Sequence, residues 1–210
     1  MHESRGLPSG PLRLTVPRSA AQLVLLPRLR EFSRTYPGIT LEIQADDAFA
    51  DIVAGRFDAG LRFGESVEKD MVAMRIGPHQ RMVMVAAPSF LNGRDAPGHP
   101  RELAGYPCIG HRFPSGALYR WELERDGEAM EVAVEGPLTV NDDRLILEAA
   151  LAGVGLAFVF EALAERELAR GELVRVLADW CPAFPGFFLY YPSRRQLRPA
   201  LRAFIDFFAA

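Results

Sequence analysis

The chain has 210 residues, enough for one domain or two small lobes with a sizeable core. Hydrophobic residues make up 49% and charged residues 24%, an ordinary balance for a soluble globular protein. The formal net charge is −3 with no block of Lys or Arg, and no apolar run is long enough to cross a bilayer. Those facts argue against nucleic-acid binding by these residues alone and against a membrane helix.

The start, MHESRGLPSG (1–10), has no apolar core, so a flexible lead-in rather than a secretory signal is expected. LRLTV (12–16) alternates and predicts a strand. Ser19 then suits a helix N-cap, and Leu25, Leu29, Phe32 and Tyr36 follow at helical spacing. Pro27 marks either a kink or a late true start of that helix, and Pro37-Gly38 stops it. ITLEI (39–43) alternates again, so strand, helix and strand form a βαβ unit with a parallel pair.

DIVAGRFDAGLRFG (51–64) predicts a short helix from about Asp51 to Gly55, then a strand from Phe57 or Asp58 to Phe63. That strand carries a bare Gly60 and a charged Arg62 beside Leu61 and Phe63. MVAMRI (71–76) and RMVMVAA (81–87) predict two more strands. Residues 88–108 hold four prolines and read as a passage into a second lobe. Trp121 and Leu123 are matched by Met130, Val132 and Val134 around Asp126-Gly127, a hairpin signal.

In VNDDRLILEAALAGVGLAFVF (140–160), Asn141 or Asp142 caps a helix, Gly153 closes it, and Leu156–Phe160 is a strand. A helix over 161–170 ends at Gly171, LVRVL (173–177) and GFFLYY (186–191) are strands, and an amphipathic helix with Leu197, Leu201, Phe204 and Phe208 ends the chain. Alternating strands and helices predict an α/β fold.

Templates for chemistry mostly fail. His2, His79, His99 and His111 fall in no metal spacing, and there is no GxSxG elbow. GVGLAF (153–158) runs from helix into strand, opposite to a phosphate-cradling loop, so Gly153 and Gly155 read as helix-terminating and close-packing glycines. Asp142-Asp143 could form an acid pair, but a helix cap fits better. Cys108 and Cys181 read as two reduced, buried thiols, with a redox-sensing pair as the alternative.

A pocket remains. Ligands of open α/β sheets sit at the carboxyl ends of strands. Here those ends carry Arg18-Ser19, Asp46-Asp47 and Arg62-Phe63-Gly64. Arg18, Arg62 and the helix start near Ser19 could converge on an anion, or the two arginines could make surface ion pairs of little energetic weight.

The chain resembles the effector-binding domain of LysR-type transcriptional regulators. The resemblance runs from about Gly10 to the end, on GPLRLTVP, LVLLPRLREFSRTYPGITLEIQ, DIVAGRFDAGLRFGE, VNDDRLILEAALAGVGLAFVFEALAERELARGELVRVLADW and GFFLYYPSRRQLRPALRAFIDFF. It implies the type 2 periplasmic-binding-protein fold: two Rossmann-like α/β lobes joined by two crossing strands, with a ligand between them. Lobe I would be 11–84 plus 187–210 and lobe II 85–186, after a lead-in over 1–10, with RMVMVAA and GFFLYY as the crossovers.

The implied ligand-binding residues are Arg18, Ser19, Asp46, Asp47, Arg62 and Phe63 in lobe I. In lobe II they are Phe113, Pro114, Ser115, Asn141, Asp142 and Phe160. The expected function is sensing of a small anionic effector, without catalysis, cofactor or metal. The regulator would be cytoplasmic, homodimeric (helix 25–36 against helix 142–152 of the partner) and tetrameric at full length. It would touch DNA only through a winged helix-turn-helix domain absent from these residues. A transport solute-binding protein and a lyase on the same fold are the competing readings.

Overall fold

A computed structural model describes residues 7–48, 51–64, 71–192 and 197–209. In chain order, β1 (Gly10–Val16) leads into α1 (Arg18–Ala20), a π-helical segment (Ala21–Leu25) and α2 (Leu26–Thr35). Then come β2 (Ile39–Ala45), β3 (Ala59–Phe63), β4 (Met71–Ile76), β5 (Gln80–Ala86) and α3 (Pro88–Leu91). A 3-10 helix (Pro100–Gly105) precedes β6 (Ile109–His111), β7 (Trp121–Arg125), β8 (Glu128–Val132), β9 (Leu138–Val140), α4 (Asp143–Leu151) and β10 (Ala157–Phe160). The chain closes with α5 (Glu161–Ala169), β11 (Val174–Val176), β12 (Ala183–Phe184), β13 (Phe187–Pro192) and α6 (Pro199–Phe208).

Two compact units result: Met1–His79 with Pro185–Ala210, and Gln80–Phe184. The first unit is a five-stranded sheet in the order β2-β1-β3-β13-β4. β1 pairs parallel with β2 and with β3, while β13 runs antiparallel to β3 and β4. Phe32 of α2 packs on Phe204 and Phe208 of α6, with ring centroids 5.7 and 5.6 Å away. Such aromatic contacts add directional energy to area burial.

In the second unit β5 pairs antiparallel with β10, β11 and β12. RMVMVAA is nearly all apolar because both faces of β5 are covered. Val83 and Val85 join Ile146, Leu147 and Ala150 of α4, whereas Met84 and Ala86 join Trp121, Phe158 and Trp180.

Several expectations need correction. Ser19 does not cap its helix. The helix starts one residue earlier at Arg18, Pro17 is the N-cap with φ −61°, and no side-chain cap bond comes from Pro17. Pro27 stands in the first turn of α2, the late start of the two readings, where its missing N–H is tolerated. Just ahead of it the Leu26 N–H donates to Ala21 O, five residues back, and this wide turn accommodates the ring.

Residues 51–56 form a turn, not a helix. Asp51 Oδ1 accepts from the Val53 and Ala54 amides at 2.8 and 3.0 Å, and Arg56 at φ 55° closes the turn. The following strand therefore begins at Ala59 rather than Phe57.

The Asp126-Gly127 hairpin is present, with φ of 53° and 82° at its two turn residues. Gly153 closes α4 at φ 76°. A Cβ on Gly155 would lie 2.5 Å from Pro107 O, which makes it the close-packing glycine expected.

Candidate functional site

In the first unit β1, β2 and β3 end side by side. Val16 pairs with Ala45, Thr15 pairs with Gly60, and Arg62 lies two residues beyond Gly60. Arg18, Ser19, Asp46, Asp47 and Arg62 are thus gathered at three neighbouring carboxyl ends.

Both guanidinium groups have partners, so two free arginines do not converge there. Arg18 is held by Asp47: its main-chain N–H donates to Oδ1 at 2.9 Å and its Nη1 donates to Oδ2 at 2.8 Å. Arg62 is buried. Its Nη1 donates to Leu61 O at 2.6 Å, and its Nη2 donates to Ala48 O at 2.8 Å and Thr15 Oγ1 at 3.3 Å. A buried guanidinium needs such acceptors, because desolvation without them is costly. Arg62 therefore ties the loop after β2 to β3.

Asp46 Oδ1 accepts the Ala48 amide at 2.9 Å. Ser19 is 5% exposed, and its hydroxyl makes no hydrogen bond among the described residues. Phe63 keeps 36% exposure and stacks on Phe187 at 4.7 Å. Gly60 has a structural reason: a Cβ there would stand 2.7 Å from the Tyr190 ring on the paired strand.

The second unit repeats the pattern. β6 and β9 run parallel with His111 opposite Val140, and Cys108 bridges Leu156 in parallel just before β10. Asn141 thus follows the end of β9, and the loop with Phe113, Pro114 and Ser115 follows the end of β6. Phe160 ends β10 and is buried. The loop is tight: Phe113 N donates to Ala117 O at 2.9 Å and Gly116 N to Phe113 O at 2.8 Å. Phe113 is 39% exposed, and its ring lies 5.3 Å from His111 and 5.6 Å from Tyr119. Asp142 is the true N-cap of α4, its Oδ1 accepting the Arg144 and Leu145 amides at 2.9 and 3.1 Å.

Sequence reasoning did not place Thr15 or Tyr119 at these strand ends, and it weighed His111 and Asp143 without pairing them. Thr15 lies on the face of β1 opposite Leu12, Leu14 and Val16 and is fully buried, while Tyr119 comes beside His111 through the loop after β6, its N–H donating to His111 O at 2.8 Å. His111 Nδ1 lies 4.0 Å from Asp143 Oδ1. Tyr119 donates to Glu122 at 3.2 Å, and burial together with Glu122 holds its hydroxyl protonated well above the usual range. Burial also pushes the Cys108 thiol up to about 12 and raises Cys181, which favours the protonated thiol at both. No group of three or more His, Cys, Asp or Glu among the described residues could hold a metal ion. No helix among them is long and apolar enough to cross a membrane.

The family model for the LysR substrate binding domain matches residues 5–210. The chain belongs to that family. A "Putative transcriptional regulator" of Pseudomonas aeruginosa is 43% identical over 203 residues, 96% of this chain and 66% of the relative. The "HTH-type transcriptional regulator PgrR" of Escherichia coli is 40% identical over 200 residues, 95% of this chain and 67% of the relative. The chain therefore spans about two thirds of the length of these regulators. Among solved structures, the regulatory domain of CrgA from Neisseria meningitidis superposes with TM-score 0.81 at 25% identity. It covers 95% of this chain and 97% of that one. The α/β fold is thus the type 2 periplasmic-binding-protein-like fold of LysR regulatory domains, a family whose general role is binding small-molecule effectors.

Proposed function

We propose that this chain is the effector-sensing part of a longer, cytoplasmic bacterial transcriptional regulator, and that its ligand leaves chemically unaltered. The observation that carries this reading is the set of polar residues at three adjacent parallel strand ends of the first unit, beside a helix start that includes the little-exposed Ser19. In the second unit, the Phe113 loop and Asn141 supply an exposed aromatic and an exposed amide at the equivalent strand ends. DNA binding belongs to a domain outside these residues. Dimerisation uses α2 and α4, where Leu26 and Leu145 expose about half their surface, 55% and 49%.

A thermal-shift screen of small metabolites tests the sensor. An effector at a hundredfold its Kd adds about 2.7 kcal/mol of stability. Both Ser19→Val and Phe113→Ala should shrink that gain while leaving the unliganded melting temperature nearly unchanged. If metabolites bind and are turned over, or if the gain survives both substitutions, the reading is wrong. Light scattering on Leu26→Glu and Leu145→Glu separates the dimer from the sensor.

A further inference from the structure

Resting on the effector-sensing reading, one feature of the first unit bears on which chemical class the sensor accepts. A ligand carboxylate entering an α/β strand-end site is normally clamped by a helix-start amide and a guanidinium. Here those two donors, the Arg18 N–H and the Arg18 Nη1, already hold the two oxygens of Asp47, at 2.9 and 2.8 Å. The second arginine, Arg62, spends its two terminal nitrogens on main-chain carbonyls and the Thr15 hydroxyl. Asp46 adds a further carboxylate one residue away. Two positive and two negative side chains thus stand at neighbouring strand ends, and an incoming anion would find the Arg18 donors already occupied by the Asp47 carboxylate. A further polar group there is Ser19, a residue 5% exposed whose hydroxyl makes no hydrogen bond among the described residues. A hydroxyl both donates and accepts, so an uncharged hydroxyl or amide of a ligand can pair with it in either sense.

We infer that Asp47 is a built-in counter-anion that closes the first unit's strand-end site to carboxylates, so that Ser19 there engages an uncharged hydroxyl or amide of the effector. Asp47 is thus a specificity-determining residue that acts through Arg18.

The test uses acetamide and acetate, near-isosteres differing in charge, titrated at constant ionic strength into the whole isotope-labelled chain. The readout is the saturable shift of the Arg18 and Ser19 amide signals. The unaltered chain should bind acetamide more tightly than acetate. In Asp47→Asn the order should reverse, with acetate affinity rising at least tenfold. Asp47→Ser serves as the second variant if the first fails to fold, as judged by dispersion of the spectrum, and Asp47→Glu should restore the original order. Preference of the unaltered chain for acetate overturns the inference. So does an unchanged order in the variants, or the absence of saturable binding by either probe in every form. A chain that reverses its order as described yet binds nothing in the metabolite screen keeps this inference and loses the sensing role.

Discussion

The helices that follow strand ends in the two units both start against an aspartate, but the aspartates come from different places. In the second unit Asp142 is the residue before α4 and folds its own carboxylate onto the Arg144 and Leu145 amides. In the first unit the cap position is Pro17, which has no side chain able to accept, and Asp47 reaches in from 29 residues downstream. A local cap forms as the helix forms. A distant one requires β1 and β2 to be paired first, so it couples the helix start to the sheet. The same electrostatic result, a helix start facing a carboxylate, is thus obtained by propensity in one unit and by topology in the other.

If topology-borne carboxylates hold the first unit together, the most buried of them should matter most. Asp58 is 6% exposed; its Oδ2 accepts the Arg13 amide at 3.0 Å and its Oδ1 accepts from Arg198 at 2.9 Å, joining β1 to the residue before α6. Asp58→Ala strands a strand amide and removes two bonds to a charged group. Arg198 is half exposed and can rehydrate, which limits the loss. About 2–4 kcal/mol should go, seen as a lower urea midpoint at unchanged m. A loss under 1 kcal/mol would mean that sheet pairing alone positions α6.

Arg62→Ala comes next. It leaves the Leu61 and Ala48 carbonyls without this donor, and about 1.5–3 kcal/mol should be lost. Amide exchange should speed up around Ala48 more than around β13, because Arg62 bridges to the loop after β2. Uniform acceleration across the sheet would contradict that bridging role.

What was legible in the sequence follows the same local-versus-distant divide. The Asp126-Gly127 turn, the Asp142 cap and the Gly153 stop are each specified within a few residues, and each is present. The buried β5 announced itself by an unbroken apolar run. Serine does favour the cap position, but here Pro17 takes that place and Ser19 falls inside the first turn, while Asp47 accepts the Arg18 amide. The segment after Asp51 begins as a helix would, with Asp51 Oδ1 accepting the Val53 and Ala54 amides and Gly55 N donating to Asp51 O, but Arg56 turns left-handed and ends it after one turn. β6 and β9, three residues each, were invisible because a three-residue strand has no periodicity to detect. The site residues were found as positions at strand ends. Their partners were not, since nothing near Arg18 or Arg62 in the chain names Asp47 or the Ala48 carbonyl.

The two caps can be compared directly at the small end of the scale. Asp142→Ala should cost about 1 kcal/mol, the usual loss for an aspartate cap, and should do so at any salt concentration because it is mostly a hydrogen-bond effect. Asp47→Asn keeps an oxygen that can still accept the Arg18 amide and loses only the ion pair with a guanidinium whose side chain is 46% exposed. Screening and rotamer entropy hold such pairs to roughly 0.2–1 kcal/mol. Its cost should also fade as salt rises from 0.05 to about 1 M, where the Debye length drops to about 3 Å. A cost above 2 kcal/mol that persists in high salt would show that Asp47 is chiefly a structural strut, which would weaken its role as a charge placed to choose among ligands. A small, salt-sensitive cost leaves the residue free to be read as a determinant of what binds, because little of its contribution is then needed to hold the fold.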